Sequence, residues 1–337
     1  MHRGQRVPHR DISAIDHAVR LVHRVCCLAG SATLMDEDRD EGGGTRLRAA
    51  ISRRDTPALF EWLISALSYQ GISDRVAYEY MEQHGYVTWR DVEQKFGQGV
   101  SCPKLESYWH FHGCRYDKLS RTCAEPDHIR RCPLPTHDLR NGRLNQTAYS
   151  LFLFIRDICD GDLVVWIDTR LAEAALADAP ARLGRLRAAL IEPLREIYGV
   201  SDKVLAMALS CILLAAPKKR RLWIDAGTGM IAIDTLVHNF LVRTGILLRF
   251  DAHHAYGIAC YQPGGCASIV SAIAEQIDAR QFNPTYSKAF PRFVQHAIWR
   301  YCSQAGFNVC NGNRIDDSKP CQNVYCRIHS ICDHISP

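Results

Sequence analysis

From Leu59 onward the apolar positions fall into a helical period. In the stretch LFEWLISALSYQ, Phe60, Leu63, Ile64 and Leu67 share one face. A second helix is predicted from Ser73, a suitable N-cap, to about His84, and a short third one over Trp89–Phe96. The same period returns over residues 144–159, 171–198, 201–215, 233–245, 266–279 and 290–306. Nearer the N-terminus, Ile15 to Leu28 reads as one amphipathic helix. It sits in an Arg-rich segment that turns acidic and Gly-rich (DEDRDEGGG), the composition of a linker. Strand patterns are weak throughout, so an all-α protein is expected. Three stretches break the rhythm. Residues 100–145 are dense in Pro, Cys and His without apolar periodicity, an irregular module held by something other than a core. Residues 217–230 (PKKRRLWIDAGTGM) read as a basic, Gly-containing loop. The tail from Asn308 reads as a cysteine-rich loop.

Composition narrows the class. With 47% hydrophobic and 23% charged residues in 337, the chain is globular rather than disordered or fibrous. Lys and Arg exceed Asp and Glu by 41 to 36, a formal charge of +5, which suits a polyanionic partner without identifying one. No apolar run approaches the ~18 residues of a membrane span. Val25–Ala29 is too short for a signal-peptide core. A soluble, cytoplasmic protein without membrane contact is expected. The fifteen cysteines matter more. Disulfide frameworks belong to short secreted chains, so these thiols are expected to be core residues, metal ligands or nucleophiles. Four lie between Cys102 and Cys132, and four in the last 28 residues. Cys159, Cys211 and Cys302 fall on apolar helical faces and read as core.

Residues Leu194 to Leu209 read as helix, tight turn, helix. Gly199 can supply the positive φ of such a turn, and Ser201 can cap the second helix. Exposed N–H groups at that helix start suit a phosphate. Lys203 lies in the first turn.

This hairpin resembles that of the helix-hairpin-helix DNA glycosylases of the endonuclease III type. Their motif reads roughly Leu-Pro-Gly-Val-Gly-x-Lys. Gly199-Val-Ser-Asp-Lys203 matches it, with Tyr198 in place of the proline and Ser201 in place of the second glycine. The family's Val-Asp-Thr-His helix start is matched by Ile233-Asp-Thr-Leu-Val-His238. Lys203 and Asp234 are separated by more residues than is usual, the basic segment 217–229 being extra. An early family helix ending in glutamine is matched by residues 60–70, with Gln70 on the glutamine. The tail pattern Cys310-x10-Cys321-x4-Cys326-x5-Cys332 resembles the family's Cys-x6-Cys-x2-Cys-x5-Cys iron–sulfur loop; the last interval is identical and the first two are longer.

The resemblance implies a two-lobed helical glycosylase fold: an N-terminal segment (1–55), a helical barrel (56–225) that includes the insertion 100–145 and the hairpin 194–215, and a second lobe (226–337) carrying the cysteine loop 308–337. The active cleft would lie between the lobes. It implies a monomeric base-excision repair enzyme, a DNA glycosylase and AP lyase acting on a damaged or modified base in duplex DNA. Asp234 would promote loss of the base, and Lys203 would form a Schiff base with the sugar. DNA contacts would fall on Gln70, Gly199, Val200 and Ser201. Cys310, Cys321, Cys326 and Cys332 would hold a structural [4Fe–4S] cluster; by ligand type alone they also suit zinc. Two other readings stay open: a monofunctional glycosylase using Asp234 and water, and a metal-bearing DNA-binding protein without catalysis. On the plainer view Lys203 is a surface lysine and Asp234 an N-cap.

Three features lie outside the resemblance. Cys114-x8-Cys123-x4-His128-x3-Cys132 could close a zinc site or be a loop with incidental thiols, with Cys102, His110, His112 and His137 as spare candidates. Lys218, Lys219, Arg220 and Arg221 could meet backbone phosphates or be solvated. His253 and His254 have no recognisable ligand spacing, and Cys260-x5-Cys266 around Pro-Gly-Gly reads as a turn.

Overall fold

The computed structural model describes residues 13–29, 43–68, 76, 79, 81–83, 85–98, 102–117, 119–120, 122–125, 134, 145–176 and 182–337. Gln70, His128, Cys132 and His137 lie outside them. The protein is mostly helical, as expected. In chain order the helices are α1 (Ala14–Ala29), α2 (Gly43–Arg53), α3 (Thr56–Leu67), α4 (Trp89–Gly97), α5 (Tyr108–Phe111), α6 (Asn145–Asp157), α7 (Leu163–Ala175), α8 (Arg182–Arg195), α9 (Asp202–Ala215), α10 (Arg221–Thr228), α11 (Thr235–Arg243), α12 (Ile246–Arg249), α13 (Cys266–Gln276) and α14 (Pro291–Cys302). A two-stranded antiparallel ribbon pairs Tyr116 with Cys123 and Asp117 with Thr122. The chain divides into two compact units, residues 37–230 and residues 1–36 with 231–337.

In the unit of residues 37–230 the caps set the helix starts. Asp55 accepts from Ala58 N at 3.1 Å before α3, and Asp162 accepts from Val165 N at 2.9 Å before α7. Thr88 and Asp91 form a reciprocal capping box at α4. Helix α6 is buried on every side from Asn145 to Ile155. Around it Phe96 stacks on Phe152 at 5.1 Å, and Trp89 lies 4.4 Å from the same ring.

The basic segment after α9 is not a loop. Residues 221–228 form α10, which packs on α7, α8 and α9. The apolar side chains within the segment explain this. Trp223 is buried, with its indole N–H donating to Asp168 at 2.6 Å, and a Cβ on Gly227 would meet Leu214 at 2.9 Å. A compact α9–α10 contact therefore uses the lack of a side chain at Gly227, and the extra residues form a packed helix.

In the other unit α1 packs on α13 and α14. Its buried residues Ala18, Leu21, Val22, Val25 and Cys26 follow the helical period. Helix α14 is buried from Pro291 to Ile298. It carries His296, which is 2% exposed and stacks on Trp299. Burial, then the charges of Arg292 and Arg300, depress its pKa to about 3. The unfolded chain takes up this proton near the ordinary value of 6.5, whereas the folded chain does not until about pH 3. The neutral imidazole therefore contributes stability that is complete above 6.5 and is lost as pH falls toward 3. Urea denaturation at pH 5 and pH 7.5 is expected to show this. In His296→Leu the acid loss should be smaller by up to about 1.4 kcal/mol per pH unit, one proton's worth. Equal acid slopes in the two proteins would exclude His296 as the source.

Candidate functional site

The hairpin of residues 182–215 is built as its sequence suggests. Helix α8 ends at Arg195, Gly199 turns the chain at φ +75°, and α9 starts at Asp202. Two contacts from α6 hold the turn: Thr147 Oγ1 donates to Tyr198 O at 2.9 Å, and Tyr198 N donates to Ser150 Oγ at 3.1 Å. Arg195 grips Asp202 with two bonds of 2.7 Å, tying the two helices together. Ser201 is the N-cap by backbone position, but its side chain makes no cap hydrogen bond, so the proposed hydroxyl cap is corrected. Gly199 and Ser201 are exposed, and Val200 and Lys203 are half-buried. Lys218, Lys219 and Arg221 are exposed just beyond α9, whereas Arg220 forms an ion pair with Asp168 and lies over Trp223.

Asp234 belongs to the other unit. It is half-buried and caps α11, its carboxylate accepting from Val237 N at 2.9 Å. The preceding residue is anchored. Tyr261 Oη accepts from Ile233 N at 2.8 Å and donates to Ile233 O at 3.2 Å.

At the far end of α11 the four tail cysteines meet. Cys310, Cys321, Cys326 and Cys332 line one small open pocket, together with Arg243, the last residue of α11. All four are free thiols. Tyr301 Oη lies 3.0 Å from Cys326 Sγ, and His334 N donates to Cys332 Sγ at 3.4 Å. Buried Arg243 brings a guanidinium N–H within 4.0 Å of Cys310 Sγ, and its carbonyl accepts from Cys332 Sγ at 3.4 Å. A hydrogen bond from Cys302 holds the Cys310 thiol below its ordinary pKa, with Arg243 adding to the effect against burial. Burial pushes Cys332 up to about 12 and raises Cys326. A bound cation would displace these protons and supply the charge that the thiolates need. The tail is fastened by local geometry. Gly245 ends α11 at φ +77°, where a Cβ would collide with Asp333, and Asp333 is clasped by Arg249 at 2.8 and 2.9 Å.

A second group of potential ligands lies beside the first turns of α11. His238, His254, Cys260 and Cys266 place one ligand atom each within 4.8 Å of all the others. His238 Nδ1 is 3.4 Å from Cys266 Sγ and 3.5 Å from Cys260 Sγ, and His254 Nε2 is 3.3 Å from Cys266 Sγ. Cys260 is held below its ordinary thiol pKa, chiefly by the hydrogen bond from Cys266 and then by those from the imidazoles, against burial. These four residues are compatible with a metal site. The sequence reading took Cys260 to Cys266 as a turn and set no value on His254. The turn is present, and it brings the ligands together. The available signal was a pair of cysteines flanking Pro-Gly-Gly.

The central module is described in part. Cys123 ends the second strand of the ribbon and Cys114 lies two residues before the first, both toward its open end, with Ala124 N donating to Arg115 O at 2.9 Å. Cys102 joins them. Burial raises its pKa, as it does that of Cys114, and the charge of neighbouring Cys123 raises both further. Backbone N–H groups of Lys104 and Leu105 point at Cys102, that of Tyr116 at Cys114 and that of Glu125 at Cys123. Three thiols thus share the N–H···S pattern of metal-binding turns.

No protein family, curated protein or solved structure was found to match this chain. Among the described residues, no helix is long and apolar enough to cross a membrane.

Proposed function

We propose that the protein is a base-excision DNA glycosylase with AP lyase activity and a [4Fe–4S] cluster. The observation that carries this reading is the ring of Cys310, Cys321, Cys326 and Cys332 at the end of the very helix that Asp234 begins. Only the resemblance to endonuclease III-type glycosylases relates that aspartate to those cysteines. The donor set suits the cluster. It comprises four thiols around one cavity, N–H and O–H groups aimed at their sulfurs, and a buried guanidinium to offset the negative charge of a thiolate-bound cube. When bound, the cluster supplies a rigid cross-link for the tail.

The chemistry falls to Lys203 and Asp234. The damaged nucleotide leaves the stack, because its glycosidic bond is inaccessible inside the duplex. Lys203 Nζ bonds to C1′ as the bond from C1′ to the base breaks, and the base leaves with a proton. The sugar opens to an imine on Lys203. Loss of a C2′ proton then expels the 3′ phosphate by β-elimination, and water later frees the amine. Asp234 stabilises the positive charge on the sugar as the base departs and assists proton transfer. The exposed hairpin turn offers backbone N–H groups to a DNA phosphate, with Lys218, Lys219 and Arg221 nearby in the same unit.

Borohydride trapping tests the lyase step. Wild type and Lys203→Ala are mixed with duplexes bearing an abasic site or one of several damaged bases, then reduced. A covalent adduct is expected with wild type and at least a ~100-fold lower yield with the variant, the usual scale for losing a positioned catalytic group. Equal or absent trapping removes Lys203 from the reaction. Heat–alkali cleavage of the same duplexes then separates a monofunctional glycosylase from a protein that only binds DNA.

A further inference from the structure

We propose that His238, His254, Cys260 and Cys266 hold a single zinc ion in a closed four-coordinate site that fixes the start of α11. Zinc bonds imidazole nitrogen at about 2.0–2.1 Å and thiolate sulfur at about 2.3 Å, so neighbouring N and S ligands of a tetrahedral ion lie about 3.5 Å apart. Three of the four N···S separations are 3.3, 3.4 and 3.5 Å, and all four atoms lie within 4.8 Å of one another. Two thiolates with two imidazoles are a usual set for structural zinc, and soft sulfur donors disfavour magnesium or calcium.

The surroundings agree with the ligand geometry. His254 Nδ1 is 2.6 Å from Ala252 O, a distance that places its proton on Nδ1 and leaves Nε2 free to coordinate next to Cys266. His238, Cys260 and Cys266 are buried and His254 half-buried, which leaves no open position of the kind a catalytic ion needs. The loop is shaped for close approach. Gly264 has φ +79°, and a Cβ on Gly265 would lie 2.1 Å from Ala259 O. Bulkier residues there would force Cys260 and Cys266 apart.

The ion would join three segments: α11 at His238, the loop at His254 and Cys260, and the first residue of α13 at Cys266. The same loop carries Tyr261, whose hydroxyl holds both backbone groups of Ile233. Fixing the loop therefore fixes the residue before Asp234. The site shares no ligand with the tail cysteines.

Metal analysis of the purified full-length protein tests this, with iron and sulfide measured on the same sample. One zinc per chain is expected beside the tail's iron. Cys260→Ser/Cys266→Ser should lose the zinc and keep iron and sulfide. His254→Cys, which retains four ligands, should keep the zinc. If the double variant does not fold, cobalt exchanged into wild type is read instead, with thiolate-to-cobalt charge-transfer bands and the d–d bands of a tetrahedral ion expected. Absence of zinc from wild type, or its retention in a folded double variant, overturns the proposal, as does exchanged cobalt without those bands. The consequence for Asp234 rests on the glycosylase reading, but the zinc count does not. A protein with one zinc and no excision activity keeps this site and removes only that reading.

Discussion

Protein carrying Cys326→Ala should emerge from purification pale, with most of its iron and acid-labile sulfide lost, where wild type is brown. The tail has little else to hold it. Residues 303–337 contain one short turn of 3-10 helix and no α-helix, and few of their apolar side chains are buried. They are tied to α11, α12 and α14 through Cys332 Sγ and Ile335 N on Arg243 O, the Arg249–Asp333 pair and Tyr301 on Cys326. Removing one thiolate ligand also leaves buried Arg243, which keeps its ion pair with Asp317 and its contact with Cys310, beside a site that has lost part of its negative charge. Loss of a structural metal is among the few single changes that cost more than about 4 kcal/mol. Thermal unfolding followed by circular dichroism should therefore show a distinctly lower midpoint for the variant. Chelation of iron from wild type should move the midpoint the same way. A colourless wild type with zinc in the tail would replace the cluster by a mononuclear site. An unchanged iron content in the variant would remove Cys326 from the ligand set.

The tail ring was legible because its ligands follow one another within a single loop, so spacing carries the geometry. The His238 group was not. Its ligands come from two helices and the loop between them, and the intervals of fifteen, five and five residues match no compact ligand pattern. Only packing of α13 against α14 and α11 against α14 brings these segments into register. Helices such as α1 and α3 were legible from one apolar face, whereas α2, whose buried face is Leu47, Ala50 and Ile51, fell in a segment read as linker because its glycines and charges masked that face. Helix α10 was not legible either, because KKRR and two glycines outweighed a single tryptophan. Its formation depends on a tertiary partner, Asp168, which takes up both Arg220 and the Trp223 indole. The ribbon at 116–123 was missed for the complementary reason: two-residue strands are too short to show alternation. That α1 belongs with residues 231–337 could not be read locally either, since an amphipathic face does not name its partner.

Asp234→Asn should lower base excision by about 10²–10⁴-fold with little change in stability or DNA affinity. The substitution is informative because Asp234 has an established structural duty. Its carboxylate accepts from Val237 N at 2.9 Å, and that duty alone would justify an aspartate here. Asparagine caps helices about as well as aspartate, so its side-chain oxygen can accept the same bond. What asparagine lacks is the negative charge that would stabilise a cationic sugar, and the ability to pass a proton at neutral pH. The variant thus separates the two roles at one position. Asp234→Ala serves as the reference that loses both, with an added stability loss of about 0.5–2 kcal/mol from the missing cap. Single-turnover excision, measured with the duplex that gives the strongest borohydride adduct, reads the chemical role. Urea denaturation reads the cap. If Asn restores stability relative to Ala but not the rate, the carboxylate acts on the sugar. If Asn restores both, Asp234 is an N-cap and nothing more, and the source of glycosidic bond cleavage must be sought on another residue.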